Sequence, residues 1–293
     1  MTTTSRSTRT HTPRTRLEPA TIGPSRPERG QGAGRATFLN SLHAEWIKIR
    51  TMRSTLYVVL GTLVIGAGIA TLVGSSAGEE FADMSPADRL TFDPLSLSLR
   101  GYMMAQVTIA LLGGMTMTAE YGSRTVVSTL TAVPHRGRVL GAKAVVLGAV
   151  SFPAGLLFTF VGFLAGQAAL KSAGVPHLTL SDPTAWRGIL GGALFLALAA
   201  LLGLALGTLI RSTTATVTTL FAAFLIVPAF GPAFPGFLSD WTTKYWPPSA
   251  GGQITTGYQD PALMQPWPGL AVMAGCVVVL LTAAFLTFRK RDA

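Results

Sequence analysis

The sequence predicts an all-α membrane protein with six transmembrane helices, and three observations carry that prediction. Of the 293 residues, 49% are hydrophobic and only 12% charged, about half the charged fraction of a soluble domain. Six stretches, near 55–73, 101–119, 144–166, 188–210, 213–235 and 269–288, are apolar over roughly the 20 residues that a spanning helix needs. With the chain threaded this way, 18 of the 23 Lys and Arg fall on one side and five (Arg89, Arg100, Lys171, Arg187 and Lys244) on the other. The basic side is cytosolic, so both termini are expected inside, in a multi-pass bacterial plasma-membrane protein.

Residues 1–36 are rich in Arg, Thr, Pro and Gly and hold no apolar core, so a disordered basic cytosolic tail is expected, followed by one membrane domain over 37–293. The tail has no apolar segment of the kind a secretory signal carries. Its charge raises the question of nucleic acid, but no aromatic residue interleaves with the basic ones before Phe38. Topology and contact with anionic lipids account for it instead.

Phe38 to Arg53 follows helical spacing, with Leu39, Leu42, Trp46 and Ile49 on one face and Asn40, Ser41 and Lys48 largely opposite. Ile47 breaks the pattern and Arg53 falls near the apolar face. Amphipathicity alone fits an interfacial helix and the charged flank of the first span equally. After that span, Gly74 to Arg100 carries Glu79, Glu80, Asp83, Asp88 and Asp93 and is expected outside.

Glu120 to Lys143 is the only substantial inner segment between spans. Charge alone fits a loop that merely sets topology. A short helix over Ser123–Thr131 is expected, ended by Pro134, with Arg136, Arg138 and Lys143 marking re-entry. On that helix Thr125, Ser128 and Thr129 share a face with Leu130 nearby, and Glu120 stands four residues from Arg124, within bracing distance.

On the far side, Lys171–Arg187 forms a second outer loop, and Arg211 stands alone in a tight inner turn between the fourth and fifth spans. Pro228, Pro232 and Pro235 are expected to break the fifth helix near Pro228. The segment 237–268 carries Trp241, Tyr245, Trp246 and Trp267, suited to the headgroup level, and is expected to dip back as a re-entrant element. Arg289, Lys290 and Arg291 stop the last span inside.

Several chemistries find no support. The GxSxG pattern at Gly74–Gly78 follows a spanning helix rather than a strand, so it reads as small residues closing a helix end. His11, His43, His135 and His177 are scattered without metal-ligand spacing. Gly137–Lys143 lacks the residues of a Walker motif at Ala142 and Ala144. Cys276 stands alone in an apolar run. Gly162/Gly166, Gly188/Gly192 and Gly203/Gly207 are close-packing pairs. With no ionisable residue inside any assigned span, coupling to an ion gradient is disfavoured and energy is expected to enter through a cytosolic surface.

Glu120-Tyr121, Thr129-Leu130 and Pro134-x-Arg136-Gly137-Arg138-Val139-Leu140-x-Ala142-Lys143 together resemble the cytosolic coupling loop of permeases in the type-2 ABC transporter family. AEWIKIRTMRSTL, from Ala44, resembles the start of these permeases, which favours the interfacial reading of 38–53. LGTLIRSTTA, around Arg211, and WPPSAGGQI, from Trp246, resemble further family patterns, with Pro247 a departure in the latter. The resemblance spans residues 38–288. It implies an exporter permease that is not itself an enzyme and has no cofactor of its own. Separate ATPase subunits would hold ATP and Mg, and a second permease copy or homologue would complete a dimer. Arg124, Thr125, Ser128, Thr129, Leu130 and Pro134, with the flanking Glu120, Tyr121, Arg136, Arg138 and Lys143, are then the candidate coupling residues. The other reading is a non-enzymatic membrane scaffold or regulator that binds another cytosolic partner through the same loop. The uncharged span lining suits amphipathic or lipid-like cargo better than ions.

Overall fold

The computed structural model describes Thr2 and residues 38–51, 53–123 and 136–290, without the side chains of Arg53, Ser54 and Arg136. The tail and the loop residues Arg124, Thr125, Ser128, Thr129, Leu130 and Pro134 lie outside the described residues. Ala36–Ala293 forms one compact unit. In chain order it comprises α1 (Phe38–Thr51), α2 (Arg53–Asp83), α3 (Pro94–Ser98), α4 (Tyr102–Gly122), α5 (Arg136–Ser172), α6 (Pro183–Ile210), α7 (Thr213–Phe221), α8 (Val227–Phe230), α9 (Phe237–Asp240), α10 (Pro247–Gly252) and α11 (Pro266–Lys290). No strand occurs among the described residues. Among the described residues, six helical stretches are long and apolar enough to cross a membrane: Thr55–Asp83, Tyr102–Gly122, Gly137–Ser172, Pro183–Ile210, Thr213–Ala233 and Pro266–Lys290.

Helix α6 is the axis of the bundle. Within its apolar window 72% of residues are buried, against 11% for α2 at the periphery. Glycines let α4 press against α6 almost backbone to backbone: a Cβ on Gly203 would meet the Ala110 carbonyl, and one on Gly113 the Ala200 carbonyl. Close approach of this kind is what small residues provide where lipid removes the hydrophobic drive between helices. Asp182 starts α6 by accepting the Thr184 amide at 2.7 Å, with Pro183 in the first turn, where its missing N–H costs nothing.

Several span boundaries differ from the sequence expectation. Helix α2 runs through Gly74–Gly78 to Asp83 instead of ending near Val73. Its 31 residues make about 46 Å of helix, well beyond a bilayer's hydrocarbon core. Gly74 and Gly78 therefore do not close a helix; they seat α2 against Gly166 and Ala169 of α5 and Ala173 just beyond its end. Ser76 is exposed and its hydroxyl donates to the Val73 carbonyl, with no nucleophile turn around it. The described part of α5 begins at Arg136, so Arg138 and Lys143 lie on a helix rather than in a loop. Glu120 and Lys143 accordingly fall within the helices that hold the second and third spans, which are not free of ionisable groups over their full length.

The fifth span does not break at Pro228. It passes from α7 through a π turn (Ala222–Ile226) into α8 and stops after a short 3-10 turn at Gly231–Ala233. Pro228 cannot donate to the Phe224 carbonyl four residues earlier, and the chain absorbs this by widening the preceding turn rather than by ending. Beyond it, α9, a second π turn (Trp241–Tyr245) and α10 lead to Thr256. Pro248, Ala250, Gly251 and Gly252 of α10 are buried, and Gly251 lies against Met273 and Phe195. Asp93 caps α3 by accepting the Leu95 and Ser96 amides and reaches 164 residues forward to the Gly257 amide, at 2.9 and 2.8 Å through its two oxygens. Gln167 joins α5 to the same end, donating to the Pro94 carbonyl and accepting the Leu178 amide.

A buried ion quartet where three helices meet

Glu45, Lys48, Glu120 and Lys143 meet where α1, the last turn of α4 and the start of α5 converge. Lys143 Nζ donates to Glu45 Oε2 at 2.7 Å and to Glu120 Oε1 at 2.9 Å; Lys48 Nζ donates to Glu45 Oε1 and to the same Glu120 oxygen, both at 2.9 Å. The Lys143 side chain is 4% exposed, Glu45 7%, Glu120 14% and Lys48 45%. Two carboxylates and two ammoniums leave the group neutral. Neutrality and direct hydrogen bonding are what make buried charge tolerable, since each isolated ion would cost several kcal/mol to bury. Burial alone would lower the Lys48 pKa, but its bonds to Glu120 and Glu45 outweigh that and raise it.

The local sequence sets up the geometry. Glu45 and Lys48, three apart, share one side of α1. Glu120 sits in the last turn of α4, where the helix dipole disfavours a carboxylate, so the two ammoniums offset a second cost there. Lys143 is carried inward by a buried stretch containing Val139, Leu140 and Ala142.

The face that α1 turns inward differs from the one its apolar pattern picked out. Ser41 and Glu45 are its buried residues, while Leu39 and Trp46 of the expected apolar face are exposed on the surface, with Leu42 and Ile49 only half-buried. The helix is rotated so that Glu45 reaches Lys143. Arg53 falls in α2, and Met52, between it and α1, lies outside the described residues.

Tyr121, next to Glu120, makes the second junction. The Arg211 guanidinium lies over its ring, 5.1 Å from the centroid. Arg211 is the C-cap of α6 and has φ 59°, the only positive φ at a non-glycine residue among those described, with its amide donating to the Gly207 carbonyl at 3.1 Å. The last turn of α4 thus holds α1 and α5 through Glu120 and the α6–α7 turn through Tyr121.

Of the candidate residues, Glu120, Tyr121, Lys143 and Arg211 gather at this corner, and Arg138 lies exposed at the start of α5. For Glu120 the partners seen are Lys48 and Lys143; Arg124, its expected brace, lies outside the described residues. Glu45 and Lys48 escaped sequence reasoning as site residues. A signal was present: Glu45 is the sole acid between Glu28 and Glu79, and Glu120 the sole acid between Asp93 and Asp182. Two isolated acids in strongly basic surroundings call for partners. Among the described residues no group of three His, Cys, Asp or Glu is placed to hold a metal ion. Comparison with protein-family models and with curated proteins finds no match.

Proposed function

We propose that this chain is the permease subunit of an ABC exporter, driven by separate cytosolic ATPase subunits that dock on the loop between α4 and α5. The observation that carries this reading is the attachment of both stems of that loop. Glu120, three residues before Ser123, and Lys143, in the second turn of α5, bond each other and are both fixed to α1. A push on residues 124–135 would reach α4, α5 and α1 together, and the α6–α7 turn through Tyr121 and Arg211. A loop that only sets topology has no need for this bracing.

In this reading α1 is an amphipathic helix lying at the inner membrane surface, and its exposed Leu39 and Trp46 face lipid. The α9–α10 segment is the re-entrant outer element. Both termini are cytosolic, a second permease copy or homologue completes the pathway, and ATP with Mg binds only the partner. The alternative, a scaffold or regulator using the same surface, needs no ATPase.

The test is copurification of the full chain with the candidate ATPase in lipid nanodiscs, with ATP hydrolysis and cargo export read in parallel. Leu130→Asp is expected to weaken ATPase binding or to uncouple hydrolysis from export, because it desolvates an unpaired carboxylate at the contact. Glu120→Gln is expected to keep binding and impair export. Full binding and export in Leu130→Asp would sink the docking assignment, and absence of any ATPase partner would favour the scaffold.

A further inference from the structure

The chain running from the fifth span to α10 has two irregular joints, and the geometry points to a hinged segment between them, Val227–Tyr245, latched by the Trp246 indole on the Ala223 carbonyl. The first joint is the π turn Ala222–Ile226. There the Val227 amide donates to the Ala222 carbonyl, which removes the usual donor from Ala223, and Pro228 has no N–H for Phe224. Side chains from elsewhere fill both gaps: Trp246 Nε1 donates to the Ala223 carbonyl at 2.7 Å, and Gln106 Nε2 to the Phe224 carbonyl at a longer 3.4 Å. Backbone carbonyls at this depth must find donors, so these two side chains hold the turn in place. The second joint is Trp246 itself, extended at φ −60°, ψ 123° between the second π turn and α10. The indole of one joint therefore grips the backbone of the other.

What lies on either side of the joints differs. Beyond Trp246 the chain is anchored: α10 is buried, Asp93 holds the Gly257 amide and Arg187 donates to the Thr256 carbonyl. Before the π turn, Leu220 is fully buried, and within it Phe224 stacks edge-on against Phe195 at 6.5 Å. Between the joints the chain is mostly exposed, with Phe230, Phe234, Phe237, Leu238 and Trp241 on the surface. It coheres through Gly231 against Thr242 and Ser239 donating to the Pro232 carbonyl. A segment tied to itself, loosely tied to the bundle and bounded by two non-α joints moves as a unit. The hinge does not depend on the identity of the energy source.

Amide hydrogen exchange on the full chain in nanodiscs tests this through two variants of opposite sign. Trp246→Phe keeps a ring but removes the donor, and should speed exchange at 225–230 and 241–246 by about fivefold while leaving α6 unchanged, as expected for losing a hydrogen bond worth about 1 kcal/mol. Pro228→Ala restores a donor to Phe224 and should slow exchange at 225–230. Unchanged exchange in Trp246→Phe, or acceleration spread through all six spans, overturns the latch. Unchanged or faster exchange in Pro228→Ala overturns the hinge, whether or not the first variant folds.

Discussion

Lys143 and Glu45, separated by 98 residues, form a 2.7 Å ion pair in which neither side chain is more than 7% exposed. Removing one partner of such a pair leaves a buried charge unbalanced, at a cost of about 3–5 kcal/mol. Lys143→Met is therefore expected to destabilise the chain by an amount in that range. Adding Glu45→Gln restores neutrality, because Lys48 and Glu120 then balance, and should recover part of the loss. Thermal or denaturant unfolding in detergent reads both. An equal or larger loss in the double variant would show that the quartet does not balance as a unit.

Lys48 is the most exposed member, and its contribution has a defined pH window. Its pKa is raised above the ordinary 10.5 in the folded chain: burial lowers it, but the bonds to Glu120 and Glu45 win. A raised lysine stabilises fully below its unfolded value and loses that contribution as pH climbs through the folded one. The difference in melting temperature between wild type and Lys48→Ala is thus expected to stay flat from about pH 6 to 9 and shrink only above about 10.5. A difference that vanished near pH 7 would mean that Lys48 acts through another group.

The contact of α4 with α6 predicts a sharp contrast between glycines. Gly203→Ala places a methyl against the Ala110 carbonyl and the Gly114 amide nitrogen, and backbone yields poorly, so a loss of about 1–3 kcal/mol is expected. Gly148 on α5 has open space where a Cβ would stand, and Gly148→Ala should be neutral or slightly stabilising through helix propensity. Similar losses in both would place the interhelical contact elsewhere. These measurements need no transport assay.

Apolar run length made the six spans legible, because the bilayer imposes it directly. The helix ends were less legible. Nothing in run length says that α2 continues through Gly74–Gly78, since that continuation depends on Ala169 of α5 and Ala173 just after it receiving those glycines. Proline was read as a terminator at 228, but a widened turn supplied with donors by Gln106 and Trp246 carries the helix past it. The bundle-facing side of α1 was not legible for a similar reason. Apolar periodicity groups Leu39 and Trp46 on one face but does not say that Ser41 and Glu45 turn into the bundle, since the pairing with Lys143 decides that and depends on a residue 98 positions away. Glu120, Tyr121 and Arg211 were legible as points of interest, but their convergence on the last turn of α4 is a tertiary fact.

Arg211 offers a test in which the sign of the effect changes with background. Its φ of 59° costs a residue bearing a Cβ about 1–2 kcal/mol, and glycine would escape that cost. The guanidinium over Tyr121 returns about 0.5–1 kcal/mol or more. With the two contributions opposed, Arg211→Gly is expected to be within about 0.5 kcal/mol of wild type. Once Tyr121→Leu has removed the ring, only the backbone strain remains, and the same Arg211→Gly change should stabilise by about 1 kcal/mol. Arg211→Val keeps the strain, adds β-branching and loses the contact, so it should destabilise in the wild-type background. Unfolding midpoints of the four members of the Arg211/Tyr121 cycle, together with Arg211→Val, decide the matter. An identical effect of Arg211→Gly with and without the tyrosine ring would show that the two residues are not coupled, and the link from α4 to the α6–α7 turn would have to run through another contact.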